Sequence, residues 1–210
     1  MLPFEKARPV RAPAAFKGQR NFAGLWWCAP TDRHVGFESW CERDHLMCLD
    51  FDPGVVGMSS QPFRITLPEA FPQRTHVPDY FVRRANGSAV VVDVRPDALV
   101  APADQNVFDA TAKLCASVGW EYRRLGNIPT AYLANVRWLA GYRHPRCGRA
   151  LESASVLNAL ASDSALTIRD LAARVGDPSL SCPRYFTFCG GSRSGRIWRP
   201  GRCIWTVESG

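Results

Sequence analysis

Six consecutive residues near the middle of the chain, Val90 to Arg95, constrain the fold more than any other segment. They read Val-Val-Val-Asp-Val-Arg, and a row of β-branched residues is typical of a buried strand. Alternate residues of a strand point to opposite faces, so Val90, Val92 and Val94 share one face. We therefore expect Asp93 and Arg95 to project together from the other face, with a carboxylate beside a cation.

A second apolar run lies just upstream and begins with another carboxylate, Asp79, ahead of residues 80–82. The loop between the two runs decides their register. A two-residue turn would set Asp79 opposite Val94, facing away from Asp93. A three-residue loop with Gly87 in the left-handed region would instead set Asp79 opposite Asp93. A site that uses both acids therefore requires the three-residue loop or a bulge.

A third acid is expected from a helix packed beside the sheet. Ser39 followed by Glu42 matches the capping box that begins helices, and Asp-Pro-Gly at 52–54 would end this helix. Glu38 and Glu42 lie four residues apart on one helical face, so either can supply the acid. A plainer interpretation is that Glu42 only caps the helix.

Two carboxylates followed by a cation suit the hydrolysis of phosphodiesters with a bound divalent metal. Asp79 and Asp93, with the backbone carbonyl of Val94, are oxygen ligands of the kind that Mg²⁺ prefers. The metal would activate a water molecule, and Arg95 would offset negative charge on the phosphate. Asp93 and Arg95 could also form a simple surface ion pair, but such groups inside a valine strand are costly without partners.

The composition favours a globular protein that binds a polyanion. The chain has 210 residues, 46% of them hydrophobic, which is enough for one domain and a small appendage. Its net charge of +7 comes mostly from arginine and favours double-stranded DNA as a partner. No apolar run approaches the roughly 20 residues that span a bilayer, so we expect a cytoplasmic protein without a membrane partner. The arginines that we expect to contact DNA are Arg64, Arg83, Arg84 and Arg169.

The eight cysteines and four histidines form no zinc-binding pattern. No C-x-x-C pair occurs, and the histidines stand at unrelated spacings, so we interpret the cysteines as buried reduced thiols. His76 lies three residues before Asp79 and is open to two interpretations, a group that positions water or a packed side chain. His45 is open to the same two.

The sequence divides into four parts. Residues 1–20 are basic and rich in Ala and Pro, which predicts a flexible arm. Residues 21–128 predict an α/β domain with a mixed central sheet flanked by helices. Residues 129–180 predict short helices that resemble the first part of a winged-helix unit. In residues 181–210 neither a helix period nor a strand period survives. If codons are chosen for Ser181 onward and the reading frame is shifted by two bases, the translation can be an amphipathic helix. We therefore hypothesise that this tail is translated out of frame.

Further elements are predicted within the second part. Alternating residues at 63–67 predict a half-buried strand, followed by a loop over 68–75. Asp104 can cap a helix that Gly119 ends, since apolar residues recur at spacings of three and four between them. The aromatic segment at 120–122 predicts one more strand.

Five ordered blocks stand out along the chain: Glu38-Ser39-Trp40-Cys41-Glu42-Arg43-Asp44-His45-Leu46, Leu49-Asp50-Phe51-Asp52-Pro53, Gln61-Pro62-Phe63, His76-Val77-Pro78-Asp79 and Val92-Asp93-Val94-Arg95-Pro96. Together they resemble the TnsA-like endonuclease subunits of heteromeric transposases. The similarity covers residues 20–125 strongly and 126–180 loosely. It implies a restriction-endonuclease-like core of the PD-(D/E)xK type, followed by a winged-helix-like domain.

The resemblance implies an enzyme that cuts the 5′ ends of a transposon with Mg²⁺, or Mn²⁺ in its place, while a TnsB-like DDE transposase joins the 3′ ends. By position, the helical acid falls on Glu42, the Pro-Asp acid on Asp79, and the (D/E)-x-K pair on Asp93 and Arg95. Gln61 falls in the Gln-Pro block and has no role that we can argue from the sequence. The alternatives are a stand-alone nuclease of the restriction or repair type and an inactive DNA-binding remnant.

Two features depart from the family pattern. Arg95 stands where the family has lysine, and its guanidinium cannot lose a proton. Arg95 can therefore stabilise phosphate charge but cannot act as a base. The tail lacks the wing and final helix that the resemblance implies.

Overall fold

The computed structural model describes residues 3–11, 22–69, 71, 74–147, 150–163 and 166–176. The chain forms two compact units, Met1–Ala140 and Gly141–Gly210. The sequence predicted a boundary after residue 128, and the two units divide after residue 140. The tail at 181–210, including its hypothetical frame shift, lies outside the described residues, as does most of the predicted arm beyond residue 11.

The described part of the first unit contains both strands and helices, and the described part of the second contains helices alone. The strands are β1 Gly24–Cys28, β2 Arg33–Phe37, β3 Val55–Ser60, β4 Ile65–Thr66, β5 Thr75–His76, β6 Tyr80–Arg84, β7 Ala89–Val94 and β8 Glu121–Leu125. The α-helices are α1 Trp40–Phe51, α2 Pro102–Ser117, α3 Thr130–Ala140, α4 Ala150–Ser162 and α5 Ile168–Val175. Short 3₁₀ turns are Phe4–Lys6, Asp97–Leu99 and Pro145–Cys147.

A four-stranded mixed sheet lies at the centre of the first unit. Its strand order is β3-β6-β7-β8; β6 is antiparallel to both β3 and β7, and β8 is parallel to β7. Parallel strands need a crossover connection, which α2 supplies between β7 and β8. The predicted α/β class with a mixed central sheet flanked by helices is confirmed.

The two faces of β7 pack against different helices. Val90 and Val92 share a buried cluster with Leu46 of α1, while Ala89 and Val91 share another with Cys115 of α2. The predicted alternation of the valine strand is therefore confirmed, and α1 and α2 cover opposite faces of the sheet.

The first residues of the chain pack against the same face as α2. The ring of Phe4 lies 5.1–5.6 Å from the rings of Phe63, Phe81 and Trp120. The hydroxyl of Ser59 donates a hydrogen bond of 2.7 Å to the carbonyl of Phe4. Residues 3–11 thus form a docked segment, whereas the sequence predicted a flexible arm.

The predicted ends of α1 and the predicted end of α2 are confirmed, and the start of α2 is corrected. The Ser39 side chain accepts a hydrogen bond from the Glu42 N–H, and Asp52 follows the last residue of α1. Asp104 was expected to stand just before α2, but the helix begins two residues earlier, at Pro102. Asp104 instead accepts a hydrogen bond from the Ala101 N–H at 3.1 Å. Proline suits the first helical position because it lacks an N–H.

Several strands were not predicted. The hairpin of β1 and β2 and the strand β3 have no counterpart in the sequence analysis, and β5 begins at Thr75, the last residue of the stretch interpreted as a loop. The predicted strand at 63–67 contributes only β4, and the predicted strand at 120–122 extends to Leu125 as β8.

α3 completes the first unit, and α4 with α5 forms the core of the second. Val136 and Ala140 of α3 pack with Met47 and Phe51 of α1. In the second unit, Val156, Leu171 and Ala172 form a small core of their own. None of the described helices is both long and apolar enough to cross a membrane.

The cysteines within the described residues are free thiols. Cys28 and Cys115 are buried as expected, but Cys41, Cys48 and Cys147 are only half-buried. Cys182, Cys189 and Cys203 lie outside the described residues.

Candidate active site

The hairpin of β6 and β7 has the three-residue loop that the site requires. Arg84 pairs with Ser88, since its N–H donates to the Ser88 carbonyl at 3.0 Å, and the Gly87 N–H donates to the Arg84 carbonyl at 2.9 Å. Gly87 has φ +84°, in the left-handed region that favours glycine. The expectation of a three-residue loop, which a site using both acids requires, is confirmed.

This loop sets the register that brings the two acids together. Tyr80 pairs with Val92, so the preceding Asp79 lies opposite Asp93, the next residue of β7. The Asp79 N–H donates to Asp93 Oδ1 at 3.3 Å. In return, Asp79 Oδ2 accepts a hydrogen bond of 2.7 Å from the Val94 N–H. The acids thus meet where β7 ends and β6 begins.

Asp93 is the most tightly held of the predicted acids and is only 3% exposed. Besides the Asp79 N–H, its Oδ2 atom contacts His76 Nε2 at 2.9 Å and accepts a hydrogen bond of 2.8 Å from the Tyr122 hydroxyl. His76 comes from β5 and Tyr122 from β8. Long-range contacts therefore fix the orientation of this carboxylate.

The helical acids occupy different positions. Glu42 Oε2 accepts a hydrogen bond of 2.8 Å from the Glu38 N–H, and its Oε1 bonds the Ser39 hydroxyl at 2.9 Å. Glu42 therefore does cap α1, as the plainer interpretation held, and it also borders the cleft that contains Asp79. Glu38 precedes the helix, and its two carboxylate oxygens bind Arg11 and Gln61, at 2.7 and 2.6 Å.

One cleft of about 290 Å³ collects the predicted site residues. Arg95 lies at its rim, where Nη2 is 3.3 Å from Asp104 Oδ2 and Nε donates to the Leu99 carbonyl. The guanidinium is therefore directed towards the start of α2. The residues of the predicted site that line this cleft are Glu38, Glu42, Asp79, Asp93, Val94 and Arg95.

Burial and mutual repulsion make the acid cluster unfavourable when fully ionised. Burial raises the pKa of Asp79 well above its ordinary value, and the charges of Glu42 and Asp93 raise it further. Burial also raises the pKa of Glu42, although its hydrogen bonds from Glu38 and Ser39 oppose the shift. A cation placed among these carboxylates would relieve that repulsion.

The donor chemistry fits a hard divalent cation such as Mg²⁺, which prefers oxygen ligands. An ionised carboxylate offers about four lone-pair sites. Asp79 uses one of these for Val94, Glu42 uses two, and Asp93 uses three. Each acid keeps at least one site for a metal, and Asp79 keeps the most. In the described part of the chain, no three acidic, histidine or cysteine side chains already converge as a metal-binding group.

The arginines expected to contact DNA differ in their surroundings. Arg83 is only 12% exposed and contacts Glu5 Oε2 at 3.2 Å, and Arg84 forms an ion pair with Glu121 at 3.0 Å. Both lie at the loop end of β6, at the opposite end of the strand from Asp79. Arg64, next to β4, and Arg169, on α5 of the second unit, are exposed.

Three residues at or next to the site carried no specific signal in the sequence. Tyr122 appeared only as part of an aromatic strand, Arg11 as part of a basic arm, and Gln61 as part of the Gln-Pro block. Gln61 is 4% exposed and has φ +46°, and its Oε1 atom is buried without a hydrogen-bond partner in the described structure. His45 bonds the Gly126 carbonyl at 2.7 Å and takes a packing role.

A comparison with protein-family models finds no match to this chain, and a comparison with curated proteins finds none either.

Proposed function

We propose that this chain is a metal-dependent DNA endonuclease with a restriction-endonuclease-like core of the PD-(D/E)xK type. One observation carries the proposal: Asp79 and Asp93 lie opposite each other across the β6–β7 register, and Glu42 borders the same cleft. The order of these residues along the chain and the parallel β8 beside β7 support it. The positive net charge of +7 suits a nucleic-acid substrate.

Glu42, Asp79 and Asp93 would hold the ion, with the carbonyl of Val94 as a further oxygen donor. Bound Mg²⁺, or Mn²⁺ in its place, supplies acidity to water and offsets negative charge on a phosphate. Tyr122 and His76 hold Asp93 Oδ2 in a fixed position, and the Asp79 N–H holds Oδ1. Arg95 at the rim donates N–H groups to the phosphate and holds its own proton throughout.

We further propose that the endonuclease is a TnsA-like subunit that cuts the 5′ ends of a transposon beside a TnsB-like DDE transposase. The resemblance of the five sequence blocks supports this assignment. The packing of α5 on α4, with Thr167 and Asp170 capping α5, suits the start of a winged-helix domain. Arg169 on α5 and Arg64 near β4 remain the proposed DNA contacts, because both are exposed.

The test is cleavage of duplex DNA that carries the transposon ends, with and without the transposase partner, in Mg²⁺ and in EDTA. We expect cleavage that requires the metal. Asp79→Asn and Asp93→Asn should each lower the cleavage rate by more than about 100-fold. Residues that only contact a metal ligand contribute up to about 100-fold, and a ligand itself should contribute more. Asp109→Asn is the matched control, since Asp109 is an exposed acid of α2 that does not border the cleft.

Different results would reject different parts of the proposal. Absence of cleavage in both Mg²⁺ and Mn²⁺, with the partner present, would contradict the endonuclease. Equal rates for Asp79→Asn and Asp109→Asn would contradict the site. Metal-dependent cleavage that is indifferent to the partner and to the transposon ends would support a stand-alone nuclease.

A further inference from the structure

The docked N-terminal segment brings a second arginine to the acidic cleft. Arg11 borders the cleft together with Glu42, Asp79 and Asp93. Its side chain is 46% exposed, and its Nη2 atom donates to Glu38 Oε2 at 2.7 Å. Arg95 borders the same cleft and is turned towards Asp104.

The segment that carries Arg11 is anchored at several points before it reaches the cleft. Phe4 packs in the aromatic cluster, and Glu5 pairs with the nearly buried Arg83. Further along, the Val10 N–H donates to the Gln61 carbonyl at 3.0 Å. Arg11 follows this last contact directly, so the fold fixes the position of its backbone beside the cleft.

Two further residues orient the side chain of Arg11. Glu38 binds Arg11 with one oxygen and the Gln61 amide with the other, so the carboxylate is held on both sides. The Gln61 N–H donates to the Asp79 carbonyl at 2.8 Å, which ties this chain of contacts to the catalytic acid. Gln61 adopts φ +46°, a costly conformation for a residue other than glycine, and such strain is typical of functional sites.

A positioned guanidinium facing carboxylates suits the binding of a phosphate. Its planar fork offers five N–H donors, and the bond to Glu38 leaves several of them for phosphate oxygens. Burial raises the pKa of Asp79 and of Glu42, and the positive charge of Arg11 opposes both shifts, which agrees with its place beside the two acids. A salt bridge that only stabilised the fold would not require a place at the cleft.

We propose that Arg11 is a catalytic residue that binds a phosphate of the DNA strand lying in the acidic cleft, and that Glu38 and Gln61 position it. This inference rests on the proposed function, because it assigns a DNA ligand to the same site. It also assigns the helical acid to Glu42, since Glu38 is engaged by Arg11 and Gln61.

The test compares Arg11→Met with Arg8→Met, because both remove one exposed arginine from the same segment and Arg8 does not border the cleft. The affinity for a fluorescein-labelled DNA duplex is measured by anisotropy, with Ca²⁺ in place of Mg²⁺. We expect Arg11→Met to weaken binding by about tenfold or more, as for loss of charge-assisted hydrogen bonds, and Arg8→Met to weaken it much less. Arg11→Lys keeps the charge without the fork and should fall between Arg11→Met and the wild type.

Binding and cleavage together separate this inference from the proposed function. If the wild-type chain does not cut DNA but Arg11→Met still weakens binding selectively, the endonuclease fails and the phosphate contact stands. If Arg11→Met and Arg8→Met match in both binding and cleavage rate, the inference is overturned even when the wild type cuts. Thermal unfolding of each variant shows whether a loss of DNA binding or cleavage reflects misfolding. If Arg11→Met does not fold, Arg11→Lys is compared with the wild type instead.

Discussion

At the scale of single residues, Asp93 depends on its neighbours more than the other acids do. Its carboxylate contacts donors from β5 and β8 and from the start of β6, which hold it in one orientation. Groups that orient a metal ligand are worth about 10- to 100-fold in metal affinity or activity. The hydroxyl of Tyr122 is the simplest of these groups to remove.

We predict that Tyr122→Phe lowers the rate of DNA cleavage by about 10- to 100-fold and raises the Mg²⁺ concentration needed for half-maximal rate. The ring stays in the core, so the melting temperature should change little. Tyr132→Phe is the control, because the Tyr132 hydroxyl bonds the Cys48 thiol and does not contact Asp93. Equal metal dependence in the two variants would contradict the role of Tyr122.

The raised pKa of Asp79 predicts an effect of pH on stability when no divalent metal is present. Between the ordinary carboxyl pKa of 3.8 and the raised value, the folded protein keeps a proton that the unfolded chain has lost. The free energy of unfolding contributed by Asp79 therefore falls as pH rises through that range. Asp79→Asn lacks this titration, so its stability relative to the wild type should increase with pH.

Urea unfolding in EDTA, repeated from pH 4 to pH 8, measures this difference. Asp109→Asn again serves as the control, since an exposed carboxylate should give a difference nearly independent of pH in the same range. If the difference in free energy of unfolding between Asp79→Asn and the wild type does not change with pH, the ionised Asp79 is not destabilised by burial and by its acidic neighbours.

At the scale of secondary structure, elements with a local signal were predicted and those without one were not. α1 has a capping box, and β7 has a run of β-branched residues. β3 was missed because its Val-Val-Gly-Met-Ser-Ser sequence is buried almost throughout and shows neither alternation nor a helical period. β1 and β2 pair only with each other, and each is five residues long, which gives little pattern to detect.

The same distinction applies to the site. The opposition of Asp79 and Asp93 follows from loop length. The sequence allowed two lengths, and only the requirement that both acids share a site favoured the three-residue loop. The contacts of Tyr122 with Asp93 and of Arg11 with Glu38 join residues 29 and 27 positions apart, and no local rule predicts them. Gln61 stood in a recognisable block, yet its role depends on a tertiary contact with Glu38.

The loop of the β6–β7 hairpin supports a prediction about backbone strain. Gly87 has φ +84°, and a Cβ atom added there would meet no atom within 4 Å. Gly87→Ala should therefore lower the free energy of unfolding by about 1–2 kcal/mol through the backbone alone, and Gly87→Asn by less. Urea unfolding measures both values.

Gly119→Ala is a matched control for this loop, because Gly119 also has a positive φ, of +74°, and a Cβ atom added there would meet no atom within 4 Å. A similar loss in stability is expected. Both alanine variants should still cut DNA, since neither changes the register. If Gly87→Ala is as stable as the wild type, this account of the loop is contradicted. It is also contradicted if Gly87→Ala folds but no longer cuts DNA.

At the scale of the whole molecule, the hydrophobic clusters divide between the two units. The clusters around the sheet and between α1 and α3 use residues up to Ala140, whereas the cluster of α4 and α5 uses later residues. We predict that a chain ending at Ala140 unfolds cooperatively, with a melting temperature near that of the same transition in the full chain. A chain ending at Gly126 serves as the comparison.

The shorter chain lacks α3, so Met47 and Phe51 lose their partners Val136 and Ala140. Its melting temperature should fall clearly, because burial of several apolar side chains is lost. Differential scanning calorimetry distinguishes the two. Loss of cooperative unfolding in the chain that ends at Ala140 would show that the first unit needs the second.

The docking of Phe4 has a consequence for how the protein behaves in a cell. Phe63, Phe81 and Trp120 form one aromatic surface, and the N-terminal segment lies over it. Loss of residues 3–11 through proteolysis would expose those rings to water. Exposed apolar patches of this kind promote aggregation. Residues 3–11 therefore protect the sheet from aggregation, and a product cut after residue 11 should collect in inclusion bodies.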